Sequence, residues 1–218
     1  MSDDFLLKRL LMVQTQLIPR GIHDERVLKA MEEVPRHLFV PVKQQRYAYE
    51  DGPLDIGEGQ TISQPYIVAL MIQEAVVNST AIALEIGTGS GYAAAVLSKV
   101  CQQVYTVERL PALAQQAQER LHRLEFLNVE VITGDGTLGY DKKSPYDVII
   151  TTAGGPITPK TLKQQLKTGG NLVIPVGDQF SQELLRITAL PDHTFSSKHI
   201  EYVRFVPLIG EEGWKAPP

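Results

Sequence analysis

The sequence predicts an α/β chain: a mostly parallel, doubly wound sheet with an antiparallel C-terminal edge and a small N-terminal helical appendage. Three observations carry this. From residue 81 onward, short β-branched runs alternate with helical stretches, the rhythm of right-handed βαβ crossovers in a parallel sheet. The first run, Ala81-Ile82-Ala83-Leu84-Glu85-Ile86, breaks into Gly87-Thr88-Gly89-Ser90-Gly91, a glycine turn between strand and helix. The last two runs, 184–189 and 200–206, are joined by a short loop around Pro191-Asp192, as in an antiparallel pair.

Taken in order, residues 5–17 place Phe5, Leu6, Leu10, Val13 and Leu17 at helical spacing and end near Pro19-Arg20-Gly21. Asp24 is a good N-cap for a second helix, which presents Val27, Leu28 and Met31 and stops before Pro35. Both helices read as an appendage covering the core. Segment 41–63 reads as a loop punctuated by Gly52-Pro53, Gly57 and Gly59, and a loop that long is often functional. Pro65 then opens a helix with the stripe Ile67, Leu70, Met71 and Ala75. Strands are expected at 81–86, 104–107, 129–132, 148–150 and 172–176, with helices at 91–100 and 111–124 separating the first three. Residues 1–80 are thus expected to form the appendage and a substrate loop, and 81–218 the core, in one compact unit.

At 218 residues, 43% hydrophobic and 21% charged, the chain has the composition of an ordinary globular protein. A formal net charge of −4 argues against broad binding to a phosphate backbone, which needs a basic surface. Cys101 is the only cysteine, so neither an intrachain disulfide nor a thiolate cluster can form. The start, Met1-Ser2-Asp3-Asp4, is acidic where a signal peptide is basic, and Asn78-Ser79-Thr80 reads as a chance sequon. These features predict a cytoplasmic protein without nucleic-acid or membrane partners; they do not encode its number of subunits, for which a monomer is the default expectation.

Closely spaced glycines after a buried strand let backbone approach a ligand with no Cβ in the way. A dinucleotide fingerprint needs G-x-G-x-x-G, but Tyr92 occupies its third glycine position. Three acids fall at or next to successive strand ends: Glu85, Glu108, and Asp135 in Thr133-Gly134-Asp135-Gly136. Ligands of open α/β sheets sit at such ends, and an acid about 20 residues past the glycine turn can accept both ribose hydroxyls of an adenosine. Asp135 is placed to accept from an adenine amino group, with Gly136 letting the backbone close on the ring. Any one acid could be a helix cap or a solvated carboxylate; three in series point to a nucleotide site. In Thr61-Ile62-Ser63-Gln64-Pro65-Tyr66, Ser63 or Gln64 could simply cap the helix opening at Pro65. Neither Ser63 nor Ser90 lies in a G-x-S-x-G elbow. His23, His37, His122, His193 and His199 have no metal-ligand spacing, so no metal is expected.

The glycine spacing with Glu85 looks like the first motif of S-adenosylmethionine-dependent methyltransferases. From about Ile22 to Gly210 the chain resembles one family, the protein-L-isoaspartate (D-aspartate) O-methyltransferases. The resemblance lies in residues 34–41 (Val-Pro-Arg-His-Leu-Phe-Val-Pro), Ala48-Tyr49-Glu50-Asp51, and above all Gly59-Gln60-Thr61-Ile62-Ser63-Gln64-Pro65. It continues through residues 84–92, Val107-Glu108-Arg109, Gly134-Asp135-Gly136 and Arg204-Phe205-Val206-Pro207-Leu208. Two departures stand out. Thr152-Ala153-Gly154-Gly155-Pro156 replaces the usual Thr-Ala-Ala-Ala-Pro, and its glycines are expected to loosen the loop. Tyr66 stands where some animal members carry histidine.

The resemblance implies a Rossmann-like methyltransferase fold, S-adenosyl-L-methionine as cofactor and S-adenosyl-L-homocysteine as product. It implies cofactor contacts from Glu85, Gly87, Thr88, Gly89, Ser90, Gly91, Glu108, Arg109, Asp135 and Gly136. Ser63 would orient the acceptor carboxylate as the catalytic residue. Thr61, Ile62, Gln64, Tyr66, Val206, Pro207 and Leu208 would hold an isoaspartyl peptide or protein. Two other readings keep less of the pattern: a methyltransferase of small molecules or RNA, and a non-catalytic module that binds adenosine or damaged protein.

Overall fold

The alternation after residue 81 becomes a seven-stranded sheet in the structure, a computed structural model that describes residues 2–215. Met1 of the expected acidic start and residues 216–218 of the expected core lie outside the described residues. The helices are α1 (Ser2–Met12), α2 (Glu25–Glu33), α3 (Pro65–Glu74), α4 (Tyr92–Ser98), α5 (Pro111–Arg123) and α6 (Lys160–Gln164). A two-stranded hairpin comprises β1 (Leu54–Gly57) and β2 (Gln60–Ile62). The main sheet comprises β3 (Ile82–Ile86), β4 (Gln103–Glu108), β5 (Val129–Thr133), β6 (Tyr146–Thr151), β7 (Leu166–Gly177), β8 (Gln182–Ala189) and β9 (Phe195–Val203).

Its spatial order is β5-β4-β3-β6-β7-β8-β9, parallel from β5 through β7 and antiparallel at β8 and β9. The winding reverses between β3 and β6, so the switch point lies where these two neighbours end. Ile86 pairs with both Val107 and Thr151, which brings the turn after β3 and the loop after β6 out of the sheet side by side. Val148, Ile149 and Ile150 are all buried, as expected of a strand covered on both faces. Burying each such side chain fully contributes about 1.5–3 kcal/mol.

The N-terminal segment has no core of its own. Met12, Leu17 and Met31 lie in the same apolar cluster as Val148, Ile150 and Val173 of the sheet. Leu84, Ile86, Ile149, Leu172 and Ile174 belong to the cluster on the opposite face. Asp24 caps α2 as expected, accepting from the Arg26 backbone N–H.

Several boundaries differ from expectation. Leu6 and Leu10 are 46% and 37% exposed, because α1 widens into a π-type turn at Val13–Leu17 and the buried stripe shifts to Met12, Val13 and Leu17. The segment read as a loop contains the β1–β2 hairpin. Its turn residues Glu58 and Gly59 adopt left-handed φ values of 53° and 67°, and its strands are too short to show alternation. Helix α3 is buried nearly all round, from Val68 to Ile72, because it packs against α2 and the Val13–Leu17 turn as well as the sheet cluster. Strand β9 starts at Phe195 and ends at Val203; residues 195–199 are exposed edge positions without an apolar pattern. Helix α6 was not expected, since five residues carry no readable period.

Candidate active site

The glycine turn leaves β3 at the switch point. Gly87 has a φ of 96°, and a Cβ there would collide with the Thr152 hydroxyl, so only glycine fits. Thr88 and Thr106 hydroxyls are 2.7 Å apart. Thr106 in turn lies 2.5 Å from Glu85 Oε2, so the turn, β4 and the buried carboxyl are linked through two hydroxyls. The Arg120 guanidinium donates to the Ser90 carbonyl at 2.8 Å and braces the far side of the turn, while Gly91 opens α4. Burial lowers the Arg120 pKa.

The three strand-end acids take three different positions. Glu108 lines a cavity of about 60 Å³ together with Gly87, Gly89, Arg109 and Gly136. Its two oxygens accept from the Gly89 and Leu110 backbone N–H groups at 2.9 and 3.0 Å, which fixes its rotamer. Glu85 does not reach that cavity. Its side chain turns inward, and burial, aided by the neighbouring Glu108 carboxylate and opposed by the Thr106 hydrogen bond, pushes its pKa up to about 8. Asp135 sits behind the cavity wall: Oδ1 accepts from Thr137 N–H and hydroxyl, and Oδ2 from the Glu211 N–H at 2.7 Å. Gly136 does face the cavity, and a Cβ there would collide with Ile86.

On the other side of the turn runs a groove of about 360 Å³, lined by Ser63, Gln64, Arg20, Glu201 and Arg204 among others. Thr61 and Val206 border both the cavity and the groove. Ser63 and Ile62 also border a small cavity under Gly87–Ser90. Neither Ser63 nor Gln64 side chain caps α3. Tyr66 lies behind the groove wall: its ring carries the Arg20 guanidinium at 3.5 Å and its hydroxyl donates to Glu201 at 3.1 Å. Arg20 is held in turn by Asp51 at 2.8 Å. Pro207 and Leu208 face the cavity and not the groove.

The loop after β6 is not loosened by its glycines. Gly154 and Gly155 are buried, and Gly154 N–H donates to Val206 O while its carbonyl accepts from Leu208 N–H, both at 2.8 Å. Trp214 Nε1–H donates to the same carbonyl at 3.1 Å, and Gly155 bridges to β7. A Cβ on Gly155 would stand 2.9 Å from the Ile157 carbonyl, so the close packing itself requires a residue without one. The reading of residues 61–66 and 85–91 missed Thr152, Arg20, Gln60, Glu201 and Ile209, all of which line the cavity or the groove. Thr152 falls two residues past the strand expected at 148–150, so the strand-end rule could have found it; Arg20 and Glu201 carry no local signal.

A doubly wound sheet with a glycine turn at its switch point and a carboxylate at the next strand end defines a nucleotide-binding α/β protein. The family model described as protein-L-isoaspartate(D-aspartate) O-methyltransferase matches residues 8–213. The chain belongs to that family. A Pelotomaculum thermopropionicum protein-L-isoaspartate O-methyltransferase is 54% identical over 213 residues, covering 98% of this chain and 93% of that protein. A Herpetosiphon aurantiacus counterpart is 51% identical over 218 residues, covering 100% and 97%. Among solved structures, a protein-L-isoaspartate O-methyltransferase superposes with a TM-score of 0.82 at 31% identity, covering 95% of this chain and 67% of that one. A Plasmodium falciparum structure in complex with S-adenosyl-L-homocysteine, which carries the same family name, has a TM-score of 0.78 at 25% identity and covers 91% and 96%.

Proposed function

We propose that the chain transfers a methyl group from S-adenosylmethionine to the free α-carboxylate of L-isoaspartyl residues in damaged proteins and peptides. One observation carries the reading: Thr61 borders both the cavity at the glycine turn and the groove, with Ser63 beside it. A donor in the cavity and an extended acceptor in the groove therefore meet across a single wall.

The residues around the cavity fit the adenosyl group. Gly87 and Gly136 leave open the space that a Cβ would take, and Ile86, Val107 and Leu208 supply apolar walls for a ring. Glu108, clamped by its two backbone donors, keeps outward lone pairs for the ribose hydroxyls. Arg109 stands exposed at the rim. Asp135 would act from behind the wall, holding the 135–137 turn and the Glu211 backbone around the cavity, and Thr88, Ser90 and Gly91 shape the turn. Glu85 acts from behind, through Thr106 and Thr88. When bound, the cofactor supplies a methyl group already activated on a sulfonium.

An α-carboxyl has an ordinary pKa of roughly 3.5, so the acceptor is an anion at neutral pH and needs no general base. Alignment and exclusion of water then carry the rate, and positioning can supply on the order of 7–11 kcal/mol. Ser63 donates its hydroxyl to the carboxylate and orients it. The backbone of Ile62 and of the segment after β9 holds the substrate chain, with Gln64 and Val206 at the groove wall; main-chain contacts tolerate varied flanking side chains. The methyl ester then cyclises to a succinimide, part of which reopens as normal aspartate. Within the described residues, the expected appendage and core serve this site as one unit.

Methyl transfer from labelled cofactor to an isoaspartyl peptide and to its aspartyl twin tests the reading. Label should appear in the first alone. Equal labelling of both, or of neither, would refute it.

A further inference from the structure

We propose that the Thr152 hydroxyl oxygen is the group that faces the cationic sulfur of the bound cofactor and keeps the donor aimed at the groove. The proposal rests on the methyl-transfer reading above and adds a residue to it. Thr152 is the first residue after β6, directly across the switch point from Gly87. It borders the adenosyl cavity, the groove, the small cavity under the glycine turn, and the internal cavity beside Glu85. Thr61 and Ser63 each border only three of these.

The hydrogen bonding at Thr152 determines what its oxygen can do. Its backbone N–H donates to the Ile86 carbonyl at 2.9 Å. Its hydroxyl oxygen stands 2.6 Å from the Gly87 carbonyl and 3.1 Å from that of Ile86. Both neighbours are acceptors, and a hydroxyl has a single proton, which goes to the nearer Gly87. With the proton so committed, the oxygen can only accept from whatever enters the junction. An acceptor-only oxygen repels the incoming carboxylate and attracts a cation with polarised C–H bonds. Weak C–H···O contacts of this kind contribute about 0.5–1 kcal/mol each. The arrangement is built into the turn, since a side chain at position 87 would strike this same hydroxyl.

Binding separates this role from a simple brace. S-adenosylmethionine carries the sulfonium charge; S-adenosyl-L-homocysteine is its neutral thioether. Calorimetry of both ligands on the parent, Thr152→Val, Thr152→Ala and Thr152→Ser gives four affinity ratios. Losing a brace on Gly87 weakens both ligands alike and leaves the ratio unchanged. Losing an oxygen that faces the sulfur lowers the ratio by about two- to fivefold in the valine and alanine variants, and serine restores it. Turnover on an isoaspartyl peptide should fall in the same two variants. An unchanged ratio in Thr152→Ala, or in Thr152→Val if that variant folds, would overturn the proposal. The two readings fail separately: a parent enzyme that shows the ratio effect but labels no isoaspartyl peptide would sink the acceptor assignment and leave Thr152 in place.

Discussion

Glu85 offers the sharpest prediction, because its carboxyl keeps a proton in the folded protein that it loses in the unfolded chain. The side chain is 1% exposed and its described hydrogen bond is with Thr106. Burial is the main cause of the raised pKa, which moves from an ordinary 4.5 to about 8. Each pH unit between the folded and unfolded values is worth about 1.4 kcal/mol, so the full gap corresponds to about 5 kcal/mol. The sign follows from which state holds the proton. Below pH 4.5 both states are protonated and the contribution to stability is complete. As pH rises towards 8 the unfolded chain releases its proton, the folded chain does not, and stability falls by up to about 1.4 kcal/mol per unit. Above pH 8 both are ionised and the loss levels off.

Glu85→Gln preserves the shape and a donor while abolishing the titration. Urea unfolding of parent and variant at pH 5, 6, 7 and 8 measures the difference directly. The variant should gain on the parent steadily across that range, by several kcal/mol in total. Parallel stability curves would mean that Glu85 is charged inside the fold, and the argument from burial would be wrong.

Three further outcomes are expected. Glu108→Ala should weaken S-adenosyl-L-homocysteine by about 1–3 kcal/mol in calorimetry, since two ribose hydroxyls lose their acceptor and the Gly89 N–H loses its partner; unchanged affinity would remove Glu108 from the site. Ser63→Ala should lower turnover on an isoaspartyl peptide while leaving cofactor affinity within a few-fold, and equal turnover would refute its orienting role. Trp214→Phe should cost about 1 kcal/mol in urea unfolding, the worth of its hydrogen bond to the Gly154 carbonyl; no loss would show that the Gly154 loop does not depend on it.

Much of the fold was legible because its signals are local. Ala81 to Leu84 and Val148 to Ile150 read as strands from consecutive apolar residues, and Gly87, Gly89 and Gly91 announce a turn with no room for side chains. Asp24 and Pro65 mark helix starts by chemistry confined to one turn. The hairpin at 54–62 was not legible, since a two-residue turn and strands of four and three residues leave no period to read. The first half of strand β9 hid for a related reason: as an edge strand it is polar over residues 196–199, and only its partner β8 extends it there. The Gly154-Gly155 loop was misread because flexibility was judged from residue type alone, whereas its order comes from β7, the 206–208 segment and Trp214.

By itself, then, the chain's order of residues determined the parallel core, the glycine turn, and the family to which the 59–65 element belongs, since each rests on neighbours within a few positions. Only the tertiary structure decided which strand-end acid faces the cavity, which is buried, and which is capped. It alone brought Tyr66 to Glu201, 135 positions apart, and set Thr152 against Gly87, 65 apart. Burial, charge and hydrogen-bond partners depend on what the rest of the chain packs against a group, and no local pattern encodes that.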